Sequence, residues 1–180
     1  KAEALKERIN RKFFHPETAT YAEGTQAAQA LALYLELVPE GKEQSVADKL
    51  HQLVADNNYF LDFGLIGTKT VPAMLTRYGY LEDAMKMITK REAPSWGYWV
   101  ETMGYTTLPE TWTLSPEFRD ASLNHVFMGD VSAWMMLLLA AGTMLWLIYG
   151  IQIGGVPIIA ANAVTFTLVE SRADVSAILI

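Results

Sequence analysis

The chain is organised by three strings, Pro94-Ser95-Trp96-Gly97-Tyr98-Trp99, Tyr105-Thr106-Thr107-Leu108-Pro109-Glu110-Thr111-Trp112 and Ala121-Ser122-Leu123-Asn124-His125-Val126-Phe127. Glu110 is a single carboxylate among Trp, Tyr and Thr residues, and His125 follows it on the next element. Aromatic rings stack on sugar rings, and a carboxylate among them can activate water or bind hydroxyl groups. The same residue types also fit a packed aromatic core with Glu110 on a solvated loop.

The segments before residue 91 predict helices with two kinds of apolar pattern. Ala4–Phe14 carries one apolar stripe, whereas Thr25–Val38 is apolar on nearly all sides. Further helices are predicted from Ser45 to the Asn57-Asn58 pair, over Thr70–Tyr78 and over Tyr80–Lys90, with a loop at Tyr59–Thr68. Two concentric layers, with buried inner helices and half-exposed outer helices, would produce this alternation. No βαβ pattern appears, so the sequence predicts an all-α fold.

In this order and spacing, Ser-Trp-Gly-Tyr, Thr-Thr-x-x-Glu-x-Trp and Ser-Leu-Asn-His resemble the catalytic domain of the α-L-rhamnosidase family of inverting glycoside hydrolases. The strings Tyr21–Leu33 and Gly64–Lys69 resemble upstream parts of the same domain. The resemblance runs from about Ala4 to Trp134. It implies the later half of an (α/α)6 barrel, and the helical patterns give about six helices. An apolar helical hairpin is predicted to follow them.

The resemblance also implies roles for four residues of the barrel segment. Glu110 matches the general base, and His125 matches a residue that contacts the sugar. Trp96 and Trp112 match aromatic residues that line the site. Pro109 is a departure from the family pattern, because many relatives carry an aromatic residue there.

The resemblance implies only half of the hydrolytic machinery. An inverting glycosidase needs two carboxylates roughly 6.5–9.5 Å apart, one as base and one as acid. The family's acid lies in an upstream acidic motif, and the nearest string here, Arg119-Asp120-Ala121-Ser122, does not match it. Glu101 is an alternative acid that no motif supports. We therefore expect no activity from this chain alone.

Composition narrows the range of partners. A net charge of -6 argues against a nucleic-acid-binding protein. The chain has no cysteine, and His15, His51 and His125 are not spaced as a metal site, so we expect no metal and no cofactor. The charged start, Lys1–Lys12, lacks the apolar core of a signal peptide, and the cellular location is left open. The expected partner is a carbohydrate, either a rhamnose-containing glycoside or a small sugar; homo-oligomer formation stays open.

The character of the sequence changes after residue 130, since no charged residue lies between Val131 and Val169. Trp134–Gly150 approaches the length of a membrane span, and Gly154-Gly155 could turn the chain into Val156–Val169. The charged string Glu170–Asp174 cuts this second apolar span short, at roughly 14 residues against the ~20 that a membrane helix needs. A buried hairpin of core helices is the alternative, and the absence of charge favours a membrane origin.

Part of this apolar segment resembles a second family. Leu145–Gly150 and Pro157–Thr165 are similar to the last two helices of a SemiSWEET or SWEET sugar-transporter bundle, with Trp146 and Asn162 matching the Trp and Asn of its sugar pocket. The preceding helix of that bundle, which carries a Pro-Gln motif, is absent. The sequence thus predicts a partial glycosidase-like barrel at residues 1–133 and a membrane-like hairpin and tail at residues 134–180.

Three hypotheses follow from the two resemblances: an incomplete glycosidase, an incomplete sugar transporter, or a composite of the two joined near Ser132–Trp134. We favour the composite, because two incomplete families abut without a linker. The function assigned to the chain is that of its longer piece.

Overall fold

The computed structural model describes residues 1–112 and 121–178, with only the helical backbone described at residues 169–178. The chain forms two compact units, Lys1–Gly129 and Asp130–Ile180. The motif residues Arg119 and Asp120 lie outside the described residues.

The described residues of the first unit form five α-helices and a two-stranded hairpin. The strands β1 (Phe14–His15) and β2 (Thr20–Tyr21) pair antiparallel between the first two helices. A five-residue π-helical turn at Tyr98–Thr102 precedes the segment that carries Glu110, residues 103–112, which is called the Glu110 loop. A 3-10 turn at Val126–Gly129 follows later in the chain. The α-helices are α1 (Ala2–Phe13), α2 (Gln26–Tyr34), α3 (Glu43–Asp56), α4 (Leu65–Arg77) and α5 (Leu81–Ile88).

The helices of this unit form the two layers that the apolar patterns predicted. Helices α2 and α4 pack against each other and are buried on several sides, with Leu33 and Leu75 almost fully enclosed. Helix α3 buries one stripe, which includes Val46 and Leu50, and α5 buries Met87. The predicted all-α, partial α/α barrel is therefore confirmed.

Helix α2 ends four residues before the predicted Val38. Glu36 has a left-handed backbone with φ of 53°. Its N–H donates to the Leu33 carbonyl at 3.1 Å, and the Leu37 N–H donates to the Ala32 carbonyl at 2.9 Å. This pair of bonds is a Schellman motif, which ends a helix by satisfying its last carbonyl groups. The apolar pattern of the segment did not reveal this turn.

Helix α4 begins earlier than the sequence indicated, at Leu65 rather than Thr70. The predicted loop therefore stops at Gly64, which is the N-cap residue, and Pro72 lies inside the helix instead of in its first turn. A proline at such a position removes a hydrogen bond. Burial of Val71 and Leu75 on either side of it favours the helix nonetheless.

The second unit is a pair of long helices, α6 (Asp130–Ile153) and α7 (Val156–Ile178), that pack against each other. Gly154 adopts a φ of 67°, and the Gly155 N–H donates to the Gly150 carbonyl at 2.9 Å, so the turn falls at the predicted glycine pair. Helix α7 continues past its predicted end at Val169 to Ile178, although its apolar run stops at Leu168. Charged residues end an apolar run, but Glu, Arg and Ala are good helix formers.

Among the residues that the structure describes, one helical stretch, Val126–Ile153, is long and apolar enough to cross a membrane, judged by length and composition alone. Only 17% of its most apolar window is buried. A core helix of a soluble protein passes the same test of length and composition, but it is mostly buried.

Candidate functional site

Backbone pairing fixes the loop that carries Glu110. The Glu110 N–H donates to the Ser122 carbonyl at 2.8 Å, and the Ser122 N–H donates back to Glu110 Oε2 at 3.0 Å. The His125 N–H donates to the Leu108 carbonyl at 2.8 Å. These bonds hold the segments around residues 108–110 and 122–125 side by side, and they orient a half-exposed carboxylate through one of its two oxygens.

Three tryptophans pack together beside this loop. Trp112 stacks on Trp99 with ring centroids 4.4 Å apart and meets Trp96 edge to face at 5.0 Å. The Trp112 indole N–H donates to the Phe63 carbonyl, and the Trp96 indole N–H donates to the Met128 carbonyl at 2.9 Å. Trp96 and Trp99 are buried, whereas Trp112 is half-buried. The structure thus brings the two predicted site tryptophans together, with both indole N–H groups bonded to backbone.

His125 is half-buried, and one of its ring nitrogens has a defined partner. The Phe127 N–H donates to His125 Nδ1 at 3.4 Å, and the Phe127 ring lies edge-on to the imidazole at 5.4 Å. A nitrogen that accepts a hydrogen bond carries no proton, so this contact places the proton of a neutral ring on Nε2. Nε2 can then donate to a sugar hydroxyl.

A hollow of about 210 Å³ adjoins the Glu110 loop. Thr107 fixes one side of it, because its hydroxyl donates to the Leu123 carbonyl at 2.7 Å. Pro109, which departs from the family pattern, is buried in the wall of this hollow. The hollow is lined by Gly104, Tyr105, Thr106, Thr107, Pro109 and Leu123.

Glu101, the alternative acid, lies on the π-helical turn and pairs with Arg91 at 3.3 Å on an exposed surface. An ion pair needs the ionised carboxylate, whereas a general acid must carry a proton. Across the described residues, no group of three or more His, Asp or Glu side chains could hold a metal ion.

The predicted residues of the second unit have separate contacts. Trp146 is 57% exposed, meets Tyr149 edge to face at 5.7 Å, and lines a hollow of about 230 Å³ with Leu145 and Tyr149. Asn162 is half-buried, and its amide donates to the Ile158 carbonyl of its own helix at 2.9 Å.

A charged cluster that no sequence pattern had predicted lies between α3 and α5. His51 Nδ1 bonds to the buried Asp83 carboxylate, and its ring stacks on Tyr80 at 4.3 Å. The Tyr80 hydroxyl donates to Asp48 Oδ1 at 2.6 Å. This bond is the largest cause of a lowered pKa at Asp48 and of a raised pKa at Tyr80. The i, i+3 spacings of Asp48 with His51 and of Tyr80 with Asp83 were the available signal.

The layered helices and the carboxylate loop define the first unit as part of a helical-barrel glycoside hydrolase domain. The model of the bacterial alpha-L-rhamnosidase six-hairpin glycosidase domain matches residues 1–139, and the chain belongs to this family.

Known relatives agree with this assignment. An alpha-L-rhamnosidase of Streptomyces avermitilis is 34% identical over 119 residues, which are 62% of this chain and 11% of the relative. The chain is also similar to the crystal structure of the Streptomyces avermitilis alpha-L-rhamnosidase complexed with L-rhamnose. The TM-score is 0.70 at 28% identity, over 77% of this chain and 14% of that one. The chain thus spans about a ninth to a seventh of the length of these relatives.

A second similarity covers a shorter part of the chain. A sugar transporter SemiSWEET of Bradyrhizobium diazoefficiens is 51% identical over 39 residues, which are 22% of this chain and 45% of the transporter. This similarity is local, and it accords with the second resemblance seen in the sequence.

Proposed function

We propose that residues 1–133 are a fragment of an inverting glycoside hydrolase of the α-L-rhamnosidase type, with Glu110 as the general base. The observation that carries the proposal is the reciprocal bonding of Glu110 and Ser122. It orients the carboxylate through Oε2 and leaves Oε1 to activate a water molecule. A positioned general base typically accelerates a reaction by about 10²–10⁴-fold.

The substrate we propose is a rhamnose-containing glycoside. A relative of similar fold was crystallised with L-rhamnose, which supports a sugar of this kind. His125 would donate from Nε2 to a hydroxyl of the sugar, and the half-buried edge of Trp112 would line the site together with Trp96.

The fragment alone should not hydrolyse its substrate, because leaving-group protonation needs a second carboxylate. Glu101 is paired with Arg91, which argues against that role. An incomplete barrel also leaves the sugar open to water, and this weakens the electrostatic stabilisation that a closed site supplies.

The test compares the chain alone with the chain supplied with the rest of a barrel. The purified chain is assayed on an aryl α-L-rhamnoside, alone and mixed with a Streptomyces avermitilis alpha-L-rhamnosidase from which the matching segment has been deleted. We expect no turnover alone and turnover in the mixture. Glu110→Gln should abolish that turnover, and the exposed-residue control Glu92→Gln should not.

Each other outcome overturns a named part of the proposal. Turnover by the chain alone that Glu110→Gln abolishes would refute the missing acid and make Glu101 the first candidate for it. Turnover that survives Glu110→Gln would refute the assignment of the base.

For residues 134–180 we propose a separate origin as a membrane hairpin of sugar-transporter type, so that the chain is a composite joined near Ser132–Trp134. The local match to a SemiSWEET protein and the exposed apolar surface of α6 support this proposal. Trp146 and Asn162 would be the remnants of its sugar pocket. A peptide of residues 131–180 should partition into lipid bilayers; a soluble monomer in buffer would refute the membrane origin. An uninterrupted genomic reading frame across Ala133 would count against the composite.

A further inference from the structure

We infer that Trp112 is a positioning residue for Glu110. Its indole N–H holds the Glu110 loop in place rather than binding the sugar. The inference rests on the proposed role of Glu110 as the base. Resemblance alone makes Trp112 one of the aromatic residues that line the site, and its contacts add an anchoring role.

The first observation is the partner of the indole N–H. Trp112 donates to the carbonyl of Phe63, a buried residue directly before the N-cap residue of α4. Phe63 is itself tightly packed, since a Cβ atom added at Gly67 would overlap its side chain. The anchor of Trp112 is therefore a fixed point at the start of an inner helix.

The second observation is the surface against which the ring packs. One face of Trp112 stacks on the buried Trp99, with planes within 20° of parallel, and Trp96 meets it at 89°. A stacked face is not available to a sugar ring, so these contacts favour an anchoring role.

The third observation is the position of Glu110, two residues before Trp112 and thus within about 7 Å along the chain. Ser122 bonds directly to Glu110, and Trp112 anchors the same segment of chain two residues later. Catalysis is sensitive to such placement, because a shift of about 1 Å in a catalytic group can cost on the order of 100-fold in rate.

The test uses the hydrogen bond between Ser122 and Glu110 as a spectroscopic signal of carboxylate position. In the full chain in detergent micelles, the chemical shift of the Ser122 amide proton should change on acidification as Glu110 is protonated. This movement of the signal should vanish in Glu110→Gln. Trp112→Phe keeps an aromatic ring and removes the indole donor. We expect it to reduce the movement about twofold or more, because hydrogen bonds weaken steeply with misalignment.

Trp96→Phe is the matched control, since it removes an indole bond of the same kind from the same cluster but not from the Glu110 loop. It should leave the movement of the Ser122 signal unchanged. An unchanged signal in Trp112→Phe, or an equal loss in both variants, would overturn the inference.

A measurement on the unsubstituted chain keeps the inference falsifiable should Trp112→Phe not fold. The Trp112 indole proton and the Ser122 amide proton should exchange with solvent through one shared opening, with equal protection; unequal protection would overturn the inference. Failure of the proposed function is distinguishable, because it would appear as hydrolysis that survives Glu110→Gln while the coupling to Ser122 is intact.

Discussion

Replacing His51 by alanine should destabilise the first unit by about 2 kcal/mol. Hydrogen bonds to charged groups contribute about 1.5–3 kcal/mol, and an aromatic stack about 0.5–1.5 kcal/mol. The His51 side chain is 39% exposed, which favours the lower end of both ranges, whereas Asp83 is only 9% exposed. The loss therefore comes mainly from leaving the buried Asp83 carboxylate without its partner.

A double-mutant cycle isolates this interaction. The free energy of unfolding is measured by urea denaturation, followed by far-UV circular dichroism, for His51→Ala, Asp83→Ala and the double variant. We expect a coupling energy of about 1.5–2 kcal/mol, as found for residues in direct contact. His15→Ala, which alters an exposed histidine, is the control and should change stability by less than about 0.5 kcal/mol. A coupling energy no larger than the control's effect would refute the reasoning.

Three further predictions concern single positions. Burial raises the pKa of Tyr21 to about 12. The neutral hydroxyl therefore stabilises the fold fully below pH about 10, and this stabilisation is lost as the pH rises toward the pKa of the folded state. The urea concentration at the midpoint of unfolding should fall more between pH 9 and 11.5 for the wild type than for Tyr21→Phe. Gly150→Leu should lower the melting temperature of the hairpin in detergent, because even a Cβ atom there would lie 2.9 Å from Ile158 Cγ2; unchanged melting would contradict this packing. Gly67→Ala should displace Phe63, seen as a change in the Trp112 indole proton signal, whereas Gly142→Ala, with open space around it and no left-handed backbone, should leave that signal in place.

The layered helices of the first unit could be predicted because burial there follows the period of an α-helix. The stripe that includes Val46 and Leu50, and the all-round burial of α2, are both legible as patterns of apolar residues. The residues at which helices end were harder to predict from the sequence. The end of α2 depends on a left-handed backbone at Glu36, which is not a glycine and gives no signal in the sequence.

The candidate site divides in a similar way. Glu110 and His125 could be nominated from their residue types and spacing, and their assigned roles stay predictions. The partners of the Trp96 and Trp112 indole groups could not be predicted, because they are backbone carbonyls 32 and 49 residues away in the chain. Contacts of that separation depend on the tertiary packing rather than on any local pattern.

The π-helical turn at Tyr98–Thr102 has a consequence for insertions and deletions. Its Met103 N–H reaches back five residues to the Tyr98 carbonyl at 3.0 Å, so the turn holds one residue more than an α-helical turn. Removing the exposed Val100 would restore α-helical spacing and rotate every following side chain by about 100° around the helix axis. Trp99 would keep its place, but Tyr105, whose N–H donates to the Trp99 carbonyl, would lose its register. A single codon lost at this turn would thus misalign the segment that leads to Glu110 without changing Glu110 or its bonding partner Ser122.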